Sequence, residues 1–159
     1  MPMTAQLALS DYEIERGKPM PDKNHAFVQG NLLVQMFLKY SARFRVLPEI
    51  NLDLPIRERV PDLAIYPPMV FAPDDNELRM SEVPLGVVEI LSAKQDLSEL
   101  MIKRSEYFAA GVQSYWLALP ALKTIYVFYS PDQYDIYSGK DVLQDKRLDI
   151  ELDLAEVFK

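Results

Sequence analysis

Leu85-Gly-Val-Val-Glu-Ile-Leu91 decides how this chain is read. It is a continuous apolar run of strand length, the pattern of a strand buried on both faces of a sheet. One residue in it is out of place. Side chains alternate along a strand, so Leu85, Val87, Glu89 and Leu91 share a face. A carboxylate buried there without a partner is costly. Glu89 is therefore expected at an exposed strand end, paired with Lys or Arg, protonated, or at a cavity or metal.

Reading outward from this run gives the rest of the fold. Leu97–Ala110 has the spacing of a helix, with Leu97, Leu100, Met101 and Phe108 on one stripe and Gly111 as its stop. Val112–Leu119, Thr124–Tyr129 and Tyr134–Tyr137 are strand candidates rich in Tyr, Trp, Val and Phe. The last two turn through Ser130-Pro131-Asp132 as a hairpin. The tail Leu148–Val157 ends in a short amphipathic piece. Upstream, Pro68–Val83 is a polar, proline-broken connection, and Pro61–Tyr66 and Val46–Leu54 read as strands. Val28, Leu32, Met36 and Tyr40 recur every four residues behind a cap at Asp22–Asn24, which predicts a helix of about five turns. Tyr12–Lys18 is a strand or turn candidate. The order predicts an α/β fold, a mixed central sheet flanked by helices. No linker divides the 159 residues, so residues 1–159 are expected to form one domain.

Composition narrows the chemistry. The chain has no cysteine and a single histidine, His25, which excludes a disulfide scaffold, a cysteine nucleophile, and zinc sites built on thiolates or several histidines. The net charge of −7 is not that of a basic nucleic-acid binder; a polyanion would be met through a local basic patch or a metal ion. No stretch approaches a membrane span, and Met1–Glu13 lacks the pattern of a leader. The expectation is a cytoplasmic protein.

Asp62, at the start of the short strand Asp62-Leu-Ala-Ile-Tyr66, is the second candidate carboxylate. Asp62 and Glu89 converging from neighbouring antiparallel strands would give an oxygen-rich site suited to Mg²⁺ or Mn²⁺. Alone, Asp62 reads as a strand-entry or turn residue. A metal-dependent phosphodiesterase also needs a cation, most simply as Asp/Glu-x-Lys, and that triplet is absent from the chain. The nearest lysines are Lys94, in the following loop, and Lys103, in the next helix. Lys103 could point at the sheet or pair with Glu99 on the solvated helix face.

Three stretches together carry a resemblance: Val60-Pro-Asp-Leu-Ala-Ile65, Pro84-Leu-Gly-Val-Val-Glu-Ile-Leu-Ser92, and Lys103-Arg-Ser-Glu-Tyr107 running on to Gly111-Val-Gln-Ser-Tyr-Trp116. With Tyr12-Glu-Ile-Glu-Arg-Gly17 and His25, they resemble the Uma family of restriction endonuclease-like proteins, in the PD-(D/E)XK nuclease superfamily. The resemblance implies that superfamily's fold, with an extra antiparallel hairpin, and a Mg (or Mn)-dependent endonuclease acting on DNA. It implies Asp62 and Glu89 as acidic metal ligands, the Ile90 carbonyl as a third ligand, and Lys103 as the lysine moved onto the helix. It makes His25 and Glu13 candidates for places beside the metal. The family often shows Ser-Pro-Ser or Ser-x-Thr after the Glu, where this chain has Ser92-Ala-Lys94.

Two classes of function stand side by side: a metal-dependent endonuclease, and a non-catalytic nuclease-fold module that binds DNA or protein. His25 also reads as a capping or surface residue. Trp116 and Tyr115 read as core or interface. Arg43, Arg45, Arg57 and Arg59 could form a phosphate-contacting rim or simply be solvated. Cutting a duplex takes one site per strand, so a homodimer is expected, with the aromatic hairpin Thr124–Tyr137 as the contact.

Overall fold

Asp22 caps a long helix of the computed structural model, which describes residue 11 and residues 20–159. The candidate strand or turn at Tyr12–Lys18, with Glu13, lies outside the described residues. The Asp22 carboxylate accepts the His25 N–H at 2.9 Å and the Ala93 N–H at 2.7 Å. Burial works against its charge, but these amide bonds prevail and hold its carboxyl below the usual value. Helix α1 then runs Lys23–Tyr40, and it buries His25, Val28, Leu32 and Met36.

The expected strand Val46–Leu54 is two strands, β1 (Arg45–Pro48) and β2 (Asn51–Asp53). Glu49 between them sits at φ 54°, a left-handed turn that moves the chain from one sheet into another. Strand β2 pairs with β3 (Glu58–Arg59) and β5 (Arg79–Met80) in a small three-stranded sheet. Strand β5 lies inside the Pro68–Val83 connection; two residues are too few for alternation to be legible.

The main sheet has six strands in the order β1-β4-β6-β7-β8-β9. Its members beyond β1 are β4 (Leu63–Tyr66), β6 (Gly86–Ile90), β7 (Ser114–Leu119), β8 (Thr124–Ser130) and β9 (Gln133–Ser138). All five residues of β6 are buried, as the apolar run predicts. Strands β6 and β7 are parallel, which requires a crossover, and helix α2 (Leu97–Ala110) supplies it. The other neighbours in this sheet are antiparallel. Gly111 stops α2 at φ 107°, a conformation that a side chain would resist, and its N–H bonds the Phe108 and Tyr107 carbonyls. The buried stripe of α2 is Leu100, Lys103 and Tyr107, while Leu97 is 43% exposed. The stripe is rotated from the expected one so that Lys103 lies within it.

Alternate residues of the sheet feed two cores. Leu63, Ile65, Val88, Ile90 and Trp116 pack with Val28, Leu32 and Met36 of α1. Ala64, Tyr66, Val87, Tyr115 and Leu117 pack with Leu100 and Tyr107 of α2 and with Leu52 of the small sheet. The tail adds to the α1 side a hairpin, β10 (Val142–Asp145) and β11 (Ile150–Asp153), and the single turn α3 (Leu154–Val157). Only its last turn was legible as an amphipathic piece. Asp145 pins this hairpin to β7. Its buried carboxylate accepts from Trp116 Nε1 at 2.7 Å, Ser114 Oγ at 3.1 Å, and the Arg147 and Leu148 amides at 3.0 Å. Trp116 and Tyr115 are core residues, as read from the sequence. Among the described residues no helix is long and apolar enough to cross a membrane.

Two predictions concern these ties. Asp145→Ala leaves buried indole, hydroxyl and amide donors without an acceptor, and should cost about 3–4 kcal/mol in denaturant unfolding. A loss under about 1 kcal/mol would show that the tail docks by apolar packing alone. The second concerns Arg59, which donates to Glu106 at 2.6 and 2.9 Å and ties the small sheet to α2. That hydrogen bond holds the Glu106 carboxyl below its usual value. The unfolded chain therefore takes up the proton first as pH falls. The stability from this pair is present above the ordinary carboxylate range and lost as pH drops through the lowered value. Glu106→Gln should cost about 1–2 kcal/mol at neutral pH, and the gap from wild type should close in acid.

Candidate active site

Strands β4 and β6 pair antiparallel, with Leu63 opposite Val88 and Ala64 opposite Val87. One step further along the same register sets Asp62 opposite Glu89. Opposed residues of an antiparallel pair share a face, with Cβ atoms roughly 4.5–5.5 Å apart. Both residues are 1% exposed. Asp62 stands one residue before β4, and its carboxylate accepts the Ile90 N–H, which brings it to the end of β6 next to Glu89.

Asp62 is held on several sides. Its Oδ2 accepts the Ile90 N–H at 2.7 Å, so a carboxylate stands where a strand carbonyl would otherwise sit. Its Oδ1 lies 3.0 Å from His25 Nε2. A carboxylate oxygen only accepts, so Nε2 carries the hydrogen. The Asp62 carbonyl accepts from Gln29 Nε2 at 3.0 Å and from the Glu49 N–H at 3.3 Å. The carbonyl of Ile90 points to the same side as its N–H, toward Asp62. The C=O and N–H of a trans peptide point opposite ways, and Leu91 N–H, in the same peptide as the Ile90 carbonyl, bonds Ala118 across on β7.

Glu89 meets helix α2. Its Oε2 lies 3.4 Å from Lys103 Nζ, and its Oε1 accepts from Tyr107 OH at 3.3 Å. Lys103 and Tyr107 are four residues apart, one above the other on the buried stripe. Lys103 therefore points at the sheet. Burial first, and then the Glu89 carboxylate, push the Tyr107 phenol well above its usual value, so it remains a donor. The same two causes raise Tyr115, whose hydroxyl donates to the Leu100 carbonyl at 2.9 Å.

The remaining candidates separate clearly. His25 is buried against Asp62 and is not a surface residue. Lys94 is exposed on the loop after β6. The four arginines do not form one rim. Arg43 donates to the Leu148 and Asp149 carbonyls, while Arg57 and Arg59 pair with Glu106. Tyr107 was quoted within a motif but not read as a partner of Glu89. Its place one turn after Lys103 is the signal that could have found it.

The donor set suits a hard cation: two buried carboxylates and a strand carbonyl where the start of β4 meets the end of β6. Among the described residues no three His, Cys, Asp or Glu side chains form a metal cluster. Mg²⁺ is ordinarily held by one or two carboxylates and keeps several waters, so a two-carboxylate set fits it.

Comparison with curated proteins returned no match. Among solved structures, the fold is similar to that of a putative nuclease belonging to DUF820 from Anabaena variabilis ATCC 29413, with a TM-score of 0.75 and 18% identity. That alignment covers 88% of this chain and 83% of the other, and it supports a restriction-endonuclease-like fold. A protein-family model described as "Uma2: Putative restriction endonuclease" matches residues 2–158. By that match, nearly end to end, the chain belongs to the Uma2 family.

Proposed function

We propose that this protein is a Mg²⁺- or Mn²⁺-dependent endonuclease that hydrolyses phosphodiester bonds of DNA. Asp62, Glu89 and the Ile90 carbonyl would hold the ion, and Lys103 would act on the scissile phosphate. What supports the reading is that the Asp62 carboxylate bonds the Ile90 N–H beside Glu89, that Glu89 lies 3.4 Å from Lys103, and that the chain belongs to this family. A bound divalent ion supplies two things: polarisation of a phosphoryl oxygen and easier ionisation of an attacking water.

The chain's own residues do the rest. The Ile90 amide and His25 fix the Asp62 carboxylate in one orientation. Tyr107 and Lys103 do the same for Glu89. The Lys103 ammonium, 3.4 Å from Glu89, can shift toward a phosphate and stabilise the negative charge that grows there during attack. It ligates no ion in this scheme. Two copies of the chain would supply the two sites that a duplex cut requires, and the natural setting is cytoplasmic DNA. Residues 1–159 would act as one nuclease domain.

One observation favours a second reading, a non-catalytic nuclease-fold module that binds DNA or protein. The chain carries −7 overall, and Arg43, Arg57 and Arg59 are engaged within the fold rather than offered to phosphates.

Two measurements separate the readings. Mn²⁺ or Mg²⁺ at ten to a hundred times its Kd should raise the wild-type Tm by roughly 3–8 °C, and Asp62→Asn should lose that increment. An increment that survives Asp62→Asn places the ion elsewhere. In a plasmid nicking assay with Mn²⁺, Glu89→Gln and Lys103→Ala should each lower cleavage by about a hundredfold or more, while Lys103→Ala keeps the metal-induced rise in Tm. Lys103→Arg should keep part of the activity, since the charge remains but its geometry changes. Cleavage unaffected by Lys103→Ala would remove the lysine from the mechanism.

A further inference from the structure

Helix α1 turns an apolar stripe to solvent. The fifteen residues from Asn24 to Leu38 contain no Asp, Glu, Lys or Arg, in a chain that is 26% charged. The inner face accounts for His25, Val28, Leu32 and Met36. The outer face holds Phe27, Val34, Phe37 and Leu38, which are 54, 53, 61 and 72% exposed. At about 100° per residue, Phe27, Val34 and Leu38 fall within roughly 40° of one another, with Gly30 beside them. A helix on the surface of a monomer carries polar residues there. Single exposed apolar residues are ordinary, but a stripe of four on one helix is not. Gly30 adds a second anomaly. Among the described residues a Cβ at this position meets nothing within 4 Å, so none of them requires a glycine here. Yet glycine is the poorest helix former after proline.

We propose that this face is the contact between two copies of the chain, each outer stripe of α1 packing on the other about a two-fold axis. With the helices antiparallel, Val34 of each copy sits over the gap left by Gly30 of the other, and Phe27 meets Leu38. The four exposed side chains offer roughly 400 Å² of apolar surface per copy. That is about half of the ~800 Å² that a standard interface buries on each partner, close to the apolar share of such an interface. Beside Phe27, a groove of about 270 Å³ between α1 and the Val157–Phe158 tail provides a socket at the rim. Other occupants fit less well. Lys23 and Lys39 stand at the two ends of the stripe, and Lys123 and Lys159 line the groove beside Phe27. Between Asn24 and Leu38, though, there is no cation to meet a phosphate or an anionic headgroup, and the chain carries −7. A second copy desolvates no charge on the stripe.

The aromatic hairpin is less suited to this role. The Tyr129 and Tyr137 hydroxyls both bond the Gln144 carbonyl, and Tyr134 stacks on Tyr126 at 5.5 Å. Its aromatic groups are largely engaged within the chain. The inference deepens the dimer part of the proposed function. Its test reads association alone, so a failure of nuclease activity and a failure of this contact are separate results.

Sedimentation velocity on the full chain, from about 1 to 100 µM, should give wild-type protein at twice the 18.3 kDa chain mass. Val34→Asp should raise the dissociation constant at least tenfold. Gly30→Leu is the sharper variant. It extends into open space and improves helix propensity, so the Tm of dilute protein should hold or rise, while the side chain blocks Val34 of the second copy and weakens association at least tenfold. Loss of association alongside retained Tm cannot come from misfolding. Ile136→Asp, on the hairpin, should associate as wild type does. A wild-type monomer at about 100 µM overturns the proposal. So does unchanged association in both α1 variants, or dissociation caused by Ile136→Asp alone.

Discussion

Glu89 is a carboxylate in the middle of a six-stranded sheet, and much of the chain is arranged to make that position tolerable. A buried charge needs an opposite charge and hydrogen bonds on its remaining lone pairs. Helix α2 delivers both, with Lys103 at 3.4 Å and Tyr107 at 3.3 Å. For that, α2 must turn a lysine inward, and the Arg59–Glu106 pair, one residue from Tyr107, ties the helix to the small sheet. The parallel β6–α2–β7 crossover sets the same helix back over its own strand.

Asp62 meets the same constraint in a different way. It stands at the mouth of β4, where Pro61 brings no N–H to the ladder, and its carboxylate takes the Ile90 amide instead. His25 reaches it from α1, on the opposite layer. Asp62 is thus met by a residue of α1 and Glu89 by two of α2, and each carboxylate has a nitrogen donor held close. Replacing such an arrangement with apolar residues would be neutral or stabilising in many folds, so its presence points to chemistry rather than to stability.

The sequence made the large elements legible because their signals are long. Five buried residues in β6 and four-residue repeats over α1 leave little ambiguity, and Gly111 marked the end of α2. Asp62, Glu89 and Lys103 were legible through the resemblance and through the oddity of a charge in an apolar run. What was hidden came from non-local or very short features. Glu49 adopts a left-handed φ that no local pattern announces, and it splits one predicted strand between two sheets. Strand β5 is two residues long. The hairpin of β10 and β11 is specified by Asp145, whose four donors come partly from β7, about thirty residues earlier in the chain. Spacing alone left Lys103 open between the sheet and Glu99, because its partner Glu89 lies on a strand fourteen residues earlier.

Helix α1 joins the two halves of the proposal. Its inner face sends His25 to the Asp62 carboxylate and Gln29 to the Asp62 carbonyl. Its outer face carries the uncharged stripe that a second copy would cover. Side chains on the two faces share one rigid backbone, so a force that shifts the helix at one face is felt at the other. Closing the outer face would therefore also restrain His25. That gives the first turn of α1 a physical reason to combine a cap at Asp22, a buried imidazole at His25 and an exposed Phe27 within six residues. An isolated surface helix would need none of these together; a helix placed between a carboxylate site and the proposed second copy would use all three.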